Sequence, residues 1–377
     1  MARLAPFLLL ALIAALGGGA GGPAVAGAAL LGGLAGFALF HASFGFTSAW
    51  RRMARERRGA GLRAQMLLIG ATCLISYPLI GAGAAGGVVA PMGLASASGA
   101  LLFGVGMQLG GGCASGTLYT AGGGSTRMMA TLAAFVAGSF IATAHWGFWS
   151  ALPAFGGVSL FGALGPFGAL AAIFVFCGAV TLGSMWIERS SHGDLEPDRP
   201  LISLLRGPWP LWLGALALAA VGIGSMLLLG HPWGITSAFA LWGAKLWQGA
   251  GGDLAGWTYW EGWRQGQLAA PVFADGISVM NFGIIAGAMA ASALAGRFAP
   301  RLQLSAREIG TAVLGGLLMG YGARLAYGCN IGAYLGGLVS GSLHGFWWLA
   351  FAWPGSLIGV RLRAALSMDP PLSSRVA

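Results

Sequence analysis

Residues 104–116 read GVGMQLGGGCASG, and residues 320–332 read GYGARLAYGCNIG. The two stretches share three glycines, a cysteine and a further glycine, each pair separated by 216 positions: Gly104, Gly106, Gly112, Cys113 and Gly116 in the first copy. Each copy follows a strongly apolar run, which predicts that each lies at the end of a membrane helix. A helix end that is broken by glycine in both halves of a chain is typical of the substrate site of a transporter.

The composition is that of an integral membrane protein. Of the 377 residues, 57% are hydrophobic and 8% are charged, and the mean hydropathy is +0.78. A soluble domain carries about 25% charged residues, so this chain cannot cover itself with a hydrated surface. Its apolar runs have the length of helices, which favours a helical bundle over a barrel. At roughly 20 residues per span, the chain has room for about nine to ten spans.

The net charge of +10 comes from arginines in short segments beside the apolar runs. In a soluble protein this excess would suggest a nucleic-acid partner, but here it indicates cytoplasmic loops and a lipid bilayer as the surroundings. The loop 249–276 is rich in tryptophan and suits the outer interface. The distribution predicts a multi-pass protein with a cytoplasmic C-terminus, and its arginine-rich segments are 51–63, 188–206, 297–307 and the end of the chain with Arg361, Arg363 and Arg375.

The order of apolar segments predicts two inverted halves. FGFTSAW at 44–50 resembles WGITSAF at 233–239, and in both halves this segment precedes the span that ends in a glycine-cysteine motif. The loop assignments make span 97–111 run inward and span 309–323 run outward, so Cys113 and Cys329 are approached from opposite sides. The expected spans are 4–20, 24–40, 62–82, 97–111, 127–147, 164–187, 208–229, 278–296, 309–323 and 340–360.

The predicted fold class is an all-α membrane protein of about nine to ten transmembrane helices, in two inverted repeats with short re-entrant helices or loops. The expected organisation is a first half at 1–187, a polar cytoplasmic linker at 188–206, a second half at 207–363 and a cytoplasmic tail at 364–377. The first apolar run, Leu8–Leu16, allows a cleaved signal peptide. A second run that follows directly favours an uncleaved first helix.

The four cysteines show no CxxC and no zinc-type spacing, which argues against a redox pair and a structural metal. Cys73 and Cys177 lie in plain apolar helices, as small buried residues do. Cys113 and Cys329 lie where free N–H groups of broken helices attract anions, with a new helix expected near Thr126. A thiol is a weak donor, and weak sites favour permeation. We expect no cofactor or metal, and the candidate pathway residues are Cys113, Cys329, Gly112, Gly116, Gly328, Gly332, Gln108, Arg324, Thr47, Ser48, Thr236 and Ser237.

The chain resembles the YeeE/YedE family of thiosulfate-uptake proteins of the bacterial inner membrane. The resemblance is carried by GMQLGGGCASGTLYTAGGGSTRM at 106–128, HPWGITSAFALWGAK at 231–245, SVMNFGIIAGA at 278–288 and GYGARLAYGCNIGAYLGGLVSGSLHG at 320–345. It implies that thiosulfate passes from thiol to thiol through Cys113 and Cys329, and that a small cytosolic sulfur carrier of the TusA type is a partner. Gly45 stands where the family's thiosulfate members carry a third cysteine.

Other functions remain open at this stage. The chain could be a membrane sulfurtransferase that carries a persulfide on Cys113 or Cys329, although no acid, base or cofactor motif adjoins either thiol. It could also be a sensor or scaffold, although its short loops offer little docking surface. Within the transporter class, the substrate could be another sulfur or selenium compound.

Overall fold

The computed structural model describes residues 4–369, and this part is almost entirely helical. Eight helical stretches in it are long and apolar enough to cross a membrane, so the chain is an all-α multi-pass membrane protein. A short antiparallel pair joins β1 (Met92–Gly93) to β2 (Ala154–Phe155). The first helices are α1 (Ala5–Gly21), α2 (Pro23–Ala42), α3 (Phe46–Glu56), α4 (Ala60–Gly81), α5 (Leu94–Gly110), α6 (Ala114–Gly122), α7 (Thr126–Ala144), α8 (Trp146–Ser150) and α9 (Leu160–His192).

The second half is built from similar pieces. A six-residue π-helix (Asn330–Leu335) lies between two of its α-helices and follows Cys329 as α6 follows Cys113. Residues 1–3 and 370–377, among them Arg375, lie outside the described part. The helices are α10 (Leu211–Leu229), α11 (Thr236–Gly249), α12 (Trp263–Ala269), α13 (Gly276–Leu294), α14 (Ala306–Leu325), α15 (Gly336–Val339) and α16 (His344–Ala365).

Each of the ten spans expected from the sequence corresponds to one of these helices, with ends that agree within five residues. How many of them cross the bilayer stays a prediction. A helix begins at Thr126, as expected, but a further short helix, Ala114–Gly122, lies between it and Cys113. The segment Ala114–Gly122 has no clear apolar period, so its nine residues read as a loop in the sequence.

Local sequence signals explain where several helices begin. Ser305 and Glu308 form a capping box at the start of α14, in which each side chain accepts a hydrogen bond from the other residue's backbone N–H. The Asp275 carboxylate accepts from the Ser278 N–H at the start of α13. Pro23 begins α2 at a position where a missing N–H costs nothing. These caps define the helix ends that the apolar pattern alone leaves loose.

The arginine-rich segments meet at one end of the bundle. Arg52 forms an ion pair with Glu196 at 3.0 Å, and Arg63 forms one with Glu188 at 2.6 Å. Arg55 reaches Asp369 at 2.7 Å. The loop after α13 joins the same end, because the Thr126 hydroxyl donates to the Arg301 carbonyl. The four segments therefore share one end, as expected from the charge distribution.

The loop 249–276 forms an aromatic layer at the end of α7 and α8, away from the arginine-rich segments. The Tyr259 ring packs edge-on against the rings of Trp146 and Trp260, with ring centroids 5.5 Å and 4.9 Å apart. The Trp260 indole donates to the Thr143 hydroxyl near the last turn of α7. We call this the aromatic end of the bundle. Tryptophan and tyrosine are enriched where a membrane meets water.

Helices α5 and α14 cross at the centre and run antiparallel. A Cβ atom added to Gly106 would lie 2.7 Å from the Met319 nitrogen and 2.8 Å from the Gly315 oxygen. A Cβ atom added to Gly322 would lie 2.7 Å from the Phe103 nitrogen and 2.4 Å from the Gly99 oxygen. The partners in the two contacts are themselves 216 positions apart. The two copies of the motif therefore pack on each other through equivalent contacts.

The flanking helices repeat this correspondence. Gly104 on α5 packs on the backbone of α16, where an added Cβ would meet the Ala352 oxygen at 2.2 Å. Gly320 on α14 packs on the backbone of α7, where an added Cβ would meet the Phe135 oxygen at 2.2 Å. Small residues allow backbones in a membrane to approach this closely. The glycines of the quoted motifs are thus contact points between helices as well as turn residues.

Candidate functional site

Cys113 is the N-cap residue of α6. Gly111 ends α5 with a positive φ of 91°, and Cys113 is extended with φ −78° and ψ −171°. The side chain is 1% exposed, and its sulfur lies 3.4 Å from the Ser115 Oγ. Because the first N–H groups of a helix have no partner within it, the thiol lies at a partially positive helix end.

Cys329 is the N-cap residue of the π-helix, in an extended conformation of φ −101° and ψ −167° that matches Cys113. It is fully buried. As at Cys113, the first N–H groups of the helix that follows have no partner within that helix. The two residues that precede Cys329, Tyr327 and Gly328, have positive φ values of 58° and 152°. A π-helix is rare and often marks a functional site, and so does a bulky residue in the left-handed region.

The two thiols lie in one large buried cluster, the main core of the bundle. Helix α6, which begins after Cys113, contacts the π-helix, which begins after Cys329. Because α5 and α14 are antiparallel, the chain reaches these two helices from opposite ends of the bundle. That the two thiols face one shared route stays a prediction.

The glycines beside the thiols keep the two turns tight. An added Cβ on Gly112 would lie 3.2 Å from the Thr117 nitrogen, and one on Gly328 would lie 2.7 Å from the Ala333 nitrogen. Gly116 faces the Cys113 sulfur, since its added Cβ would lie 3.6 Å from that atom. Gly332 faces the loop before α11, with Gly234 at 4.0 Å. A side chain at Gly116 would cover the thiol.

Gln108 and Arg324 are aligned in sequence but do different things. The Gln108 amide is fully buried and donates to the Thr47 carbonyl at 3.2 Å and to the Ser356 hydroxyl at 2.8 Å. The buried Arg324 guanidinium donates to the Tyr259 hydroxyl at 2.6 Å. Arg324 therefore places its charge towards the aromatic end, whereas Gln108 ties α5 to α3 and α16.

The hydroxyl candidates lie in the first turns of α3 and α11. Thr47 and Thr236 are buried, and Ser48 and Ser237 are half-buried. The Ser48 hydroxyl donates to the Gly45 carbonyl at 3.3 Å, so it serves its own helix end. The Thr47 hydroxyl is buried without a partner. The structure connects Thr47 to the Cys113 motif through Gln108, and it shows no such bond for Ser237.

Sequence comparison of the two motifs missed Asn330. This residue is fully buried, and neither its amide nitrogen nor its amide oxygen has a hydrogen-bond partner. Trp233 is 2% exposed, and its indole N–H also lacks a partner. The signal was present in the sequence, because Asn330 follows Cys329 where the first copy has Ala114. A comparison that selects shared residues does not select a position at which the two copies differ.

Cavities open at both ends of the bundle. One of about 220 Å³ lies at the arginine-rich end and is lined by Gly45, Ser48, Arg52 and Arg199. Another of about 530 Å³ lies at the aromatic end beside Trp149. Gly45 thus faces a cavity in which the guanidinium groups of Arg52 and Arg199 are accompanied by the carboxylates of Glu196 and Asp198. The described residues contain no cluster of His, Cys, Asp and Glu that could hold a metal ion.

A family model described as "Sulphur transport" matches residues 41–358. The chain belongs to this family. The match begins just before the FGFTSAW segment and ends within α16, so it includes both cysteine motifs.

Named relatives fall in the same group. A probable transporter, YedE of Salmonella typhimurium, is 34% identical over 155 residues, which cover 40% of this chain and 37% of YedE. The probable transporter YedE of Escherichia coli shows the same identity and coverage. The thiosulfate transporter TsuA of Spirochaeta thermophila is 31% identical over 274 residues, which cover 67% of this chain and 72% of TsuA. The chain thus spans little more than a third of the length of the two YedE proteins that it matches.

Proposed function

We propose that the protein takes up a small sulfur-containing anion, most directly thiosulfate, along a route between Cys113 and Cys329. The observation that carries this proposal is that both thiols are N-cap residues of short helices that contact each other in the buried core. The family match and the similarity to a thiosulfate transporter support the substrate class.

The chemistry of the two thiols suits a passing anion. Each lies at a helix N-terminus, where free N–H groups stabilise negative charge. A thiol donates weakly and contacts the soft terminal sulfur of thiosulfate without the strong hold of a buried arginine. Conduction requires sites that an ion enters and leaves easily. Two weak sites in series meet that requirement better than one strong site.

The proposal includes two inverted halves, 1–187 and 207–363, joined by the polar linker 188–206 and followed by the tail 364–377. The equivalent contacts of residues 216 positions apart support this division. The arginine-rich end faces the cytoplasm of a bacterium, by the positive-inside rule, and the C-terminus lies there. A small sulfur carrier of the TusA type would receive the anion at that end.

Flux of labelled thiosulfate into proteoliposomes tests the proposal. We expect Cys113→Ala and Cys329→Ala each to abolish uptake, because each removes the donor at one of two serial sites. Cys73→Ala is the matched control, since Cys73 is equally buried but lies in the middle of α4. Full uptake by either of the first two variants would refute the assignment of the pathway.

The same preparation separates transport from a membrane sulfurtransferase. A transporter delivers intact thiosulfate to the lumen and leaves both thiols unmodified. An enzyme would leave a persulfide on Cys113 or Cys329, which mass spectrometry of the intact protein would detect. A persulfide that forms without any flux of thiosulfate would show a sulfurtransferase and refute the transport proposal.

A further inference from the structure

Asn330 is the most unusual polar group in the described part of the chain. It is the first residue of the π-helix, adjacent to Cys329, and its side chain is fully buried. Neither its amide nitrogen nor its amide oxygen makes a hydrogen bond. A buried polar group without a partner is destabilising. Such a cost is typically tolerated where the group has a ligand to bind.

A second unsatisfied donor belongs to the segment that packs on the same helix. The Trp233 carbonyl oxygen lies 4.0 Å from a Cβ built on Gly336, and Gly234 lies at the same distance from one built on Gly332. The Trp233 indole N–H is buried and has no partner. An indole can only donate. Asn330 at the start of the π-helix and Trp233 in the segment that packs on this helix are therefore two buried donor side chains without a partner.

The matching site in the first half lacks both groups. Ala114 stands where the second half has Asn330, and Phe44 stands where it has Trp233. Cys113 is accompanied instead by the Ser115 hydroxyl at 3.4 Å. The two thiols are thus equivalent in backbone geometry, but the Cys329 side alone offers an amide and an indole. The surroundings of the two thiols therefore differ in the hydrogen-bond donors that they offer to an anion.

We infer that Asn330, with Trp233 as a second donor, forms a subsite for the sulfonate oxygens of the anion while its terminal sulfur faces the Cys329 thiol. The inference rests on the proposed function. Neutral donors bind oxyanion oxygens without neutralising their charge, so the anion is recognised but still able to leave. The subsite distinguishes anions that carry both oxygen and a soft sulfur from anions that carry sulfur alone.

The test compares uptake of labelled thiosulfate by wild type, Asn330→Ala, Asn330→Asp and Trp233→Phe in proteoliposomes. Asn330→Ala should raise KM by about 10-fold or more, the size of one hydrogen bond to a charged group. Trp233→Phe keeps the ring and loses the N–H, so it should raise KM by a smaller factor. A KM equal to that of wild type in Asn330→Ala would overturn the inference.

Asn330→Asp adds a readout that depends on pH. At pH 7.5 its carboxylate repels the anion, and uptake should be lost. At pH 5.5 a buried carboxyl is largely protonated, because burial disfavours the charged form, and it then donates again. We expect uptake by this variant to rise as the pH falls, relative to wild type at each pH. A constant ratio between the two would contradict a role in binding.

Asn281→Ala is the matched control for folding. Asn281 is also fully buried, but its amide donates to the Ile235 carbonyl at 2.9 Å, which gives it a structural partner. This variant should lower the melting temperature and leave KM unchanged. If wild type itself shows no uptake, the proposed function fails. If wild type transports and the Asn330 variants behave like Asn281→Ala, only the subsite fails.

Discussion

The Cys113 turn and the Cys329 turn share five residues and the same extended backbone at the thiol, but they are held in different ways. At the Cys113 turn, the last carbonyls of α5 accept hydrogen bonds from two arginines. Arg127 donates to Gly110 at 3.0 Å and to Leu109 at 2.8 Å, and Arg363 donates to the Gln108 carbonyl at 2.6 Å.

At the Cys329 turn, the supporting groups are aromatic or neutral. The Tyr327 ring packs edge-on against the rings of His344 and Trp146, with ring centroids 5.6 Å and 6.1 Å apart. Positive charge thus surrounds the first turn, and rings surround the second. The shared residues set the path of the backbone, while the unshared residues give each side its own chemistry.

The largest effect is expected at the crossing of α5 and α14, where the two halves are equivalent. Gly106→Val and Gly322→Val each push a side chain into the backbone of the opposing helix, so no rotamer relieves the clash. Each should destabilise the protein by more than about 3 kcal/mol. Thermal unfolding of the purified protein, together with its yield after extraction, measures this effect.

The control for this pair is Gly183→Val in α9, where a built Cβ meets nothing within 4 Å. It should unfold like wild type. Tolerance of Gly106→Val together with loss of stability in Gly322→Val would contradict the equivalence of the two glycine contacts. The two contacts would then not be equivalent, and the proposed relation between the halves would lose its main support.

An intermediate effect is expected from the groups that hold the two turns. Arg127→Met removes the donors to two carbonyls and to the Thr311 hydroxyl, so it should cost about 2 kcal/mol. His344→Leu removes the edge-on ring contact with Tyr327 and should cost about 1 kcal/mol. Chemical denaturation in detergent ranks the two variants. Equal losses would show that the arginine hydrogen bonds at the first turn add no more stability than one ring contact at the second.

The sequence predicted the two cysteine motifs, the ten helices and the two ends of the bundle, because each follows from hydropathy, charge or identity between the copies. It did not reveal α6, since Ala114–Gly122 is too short and too rich in small residues to show a period. It did not reveal Asn330, because comparison of repeats selects what is shared. The π-helix likewise depends on packing against the loop 232–235, which no local pattern records.

The smallest effect is expected from backbone strain at matched positions before the thiols. Gly111 and Tyr327 both have positive φ, 91° and 58°, but only glycine adopts such values freely. Gly111→Ala should therefore cost about 1 kcal/mol in strain, and it also displaces the end of the Arg127 side chain, because the built Cβ lies 2.6 Å from the Arg127 Nη1. Tyr327→Gly relieves similar strain but loses the ring contacts at the aromatic end, so its stability should stay within about 1 kcal/mol of wild type. Melting temperatures measure both, and a strongly destabilised Tyr327→Gly would show that the ring holds the Cys329 turn in place and that the strain is incidental.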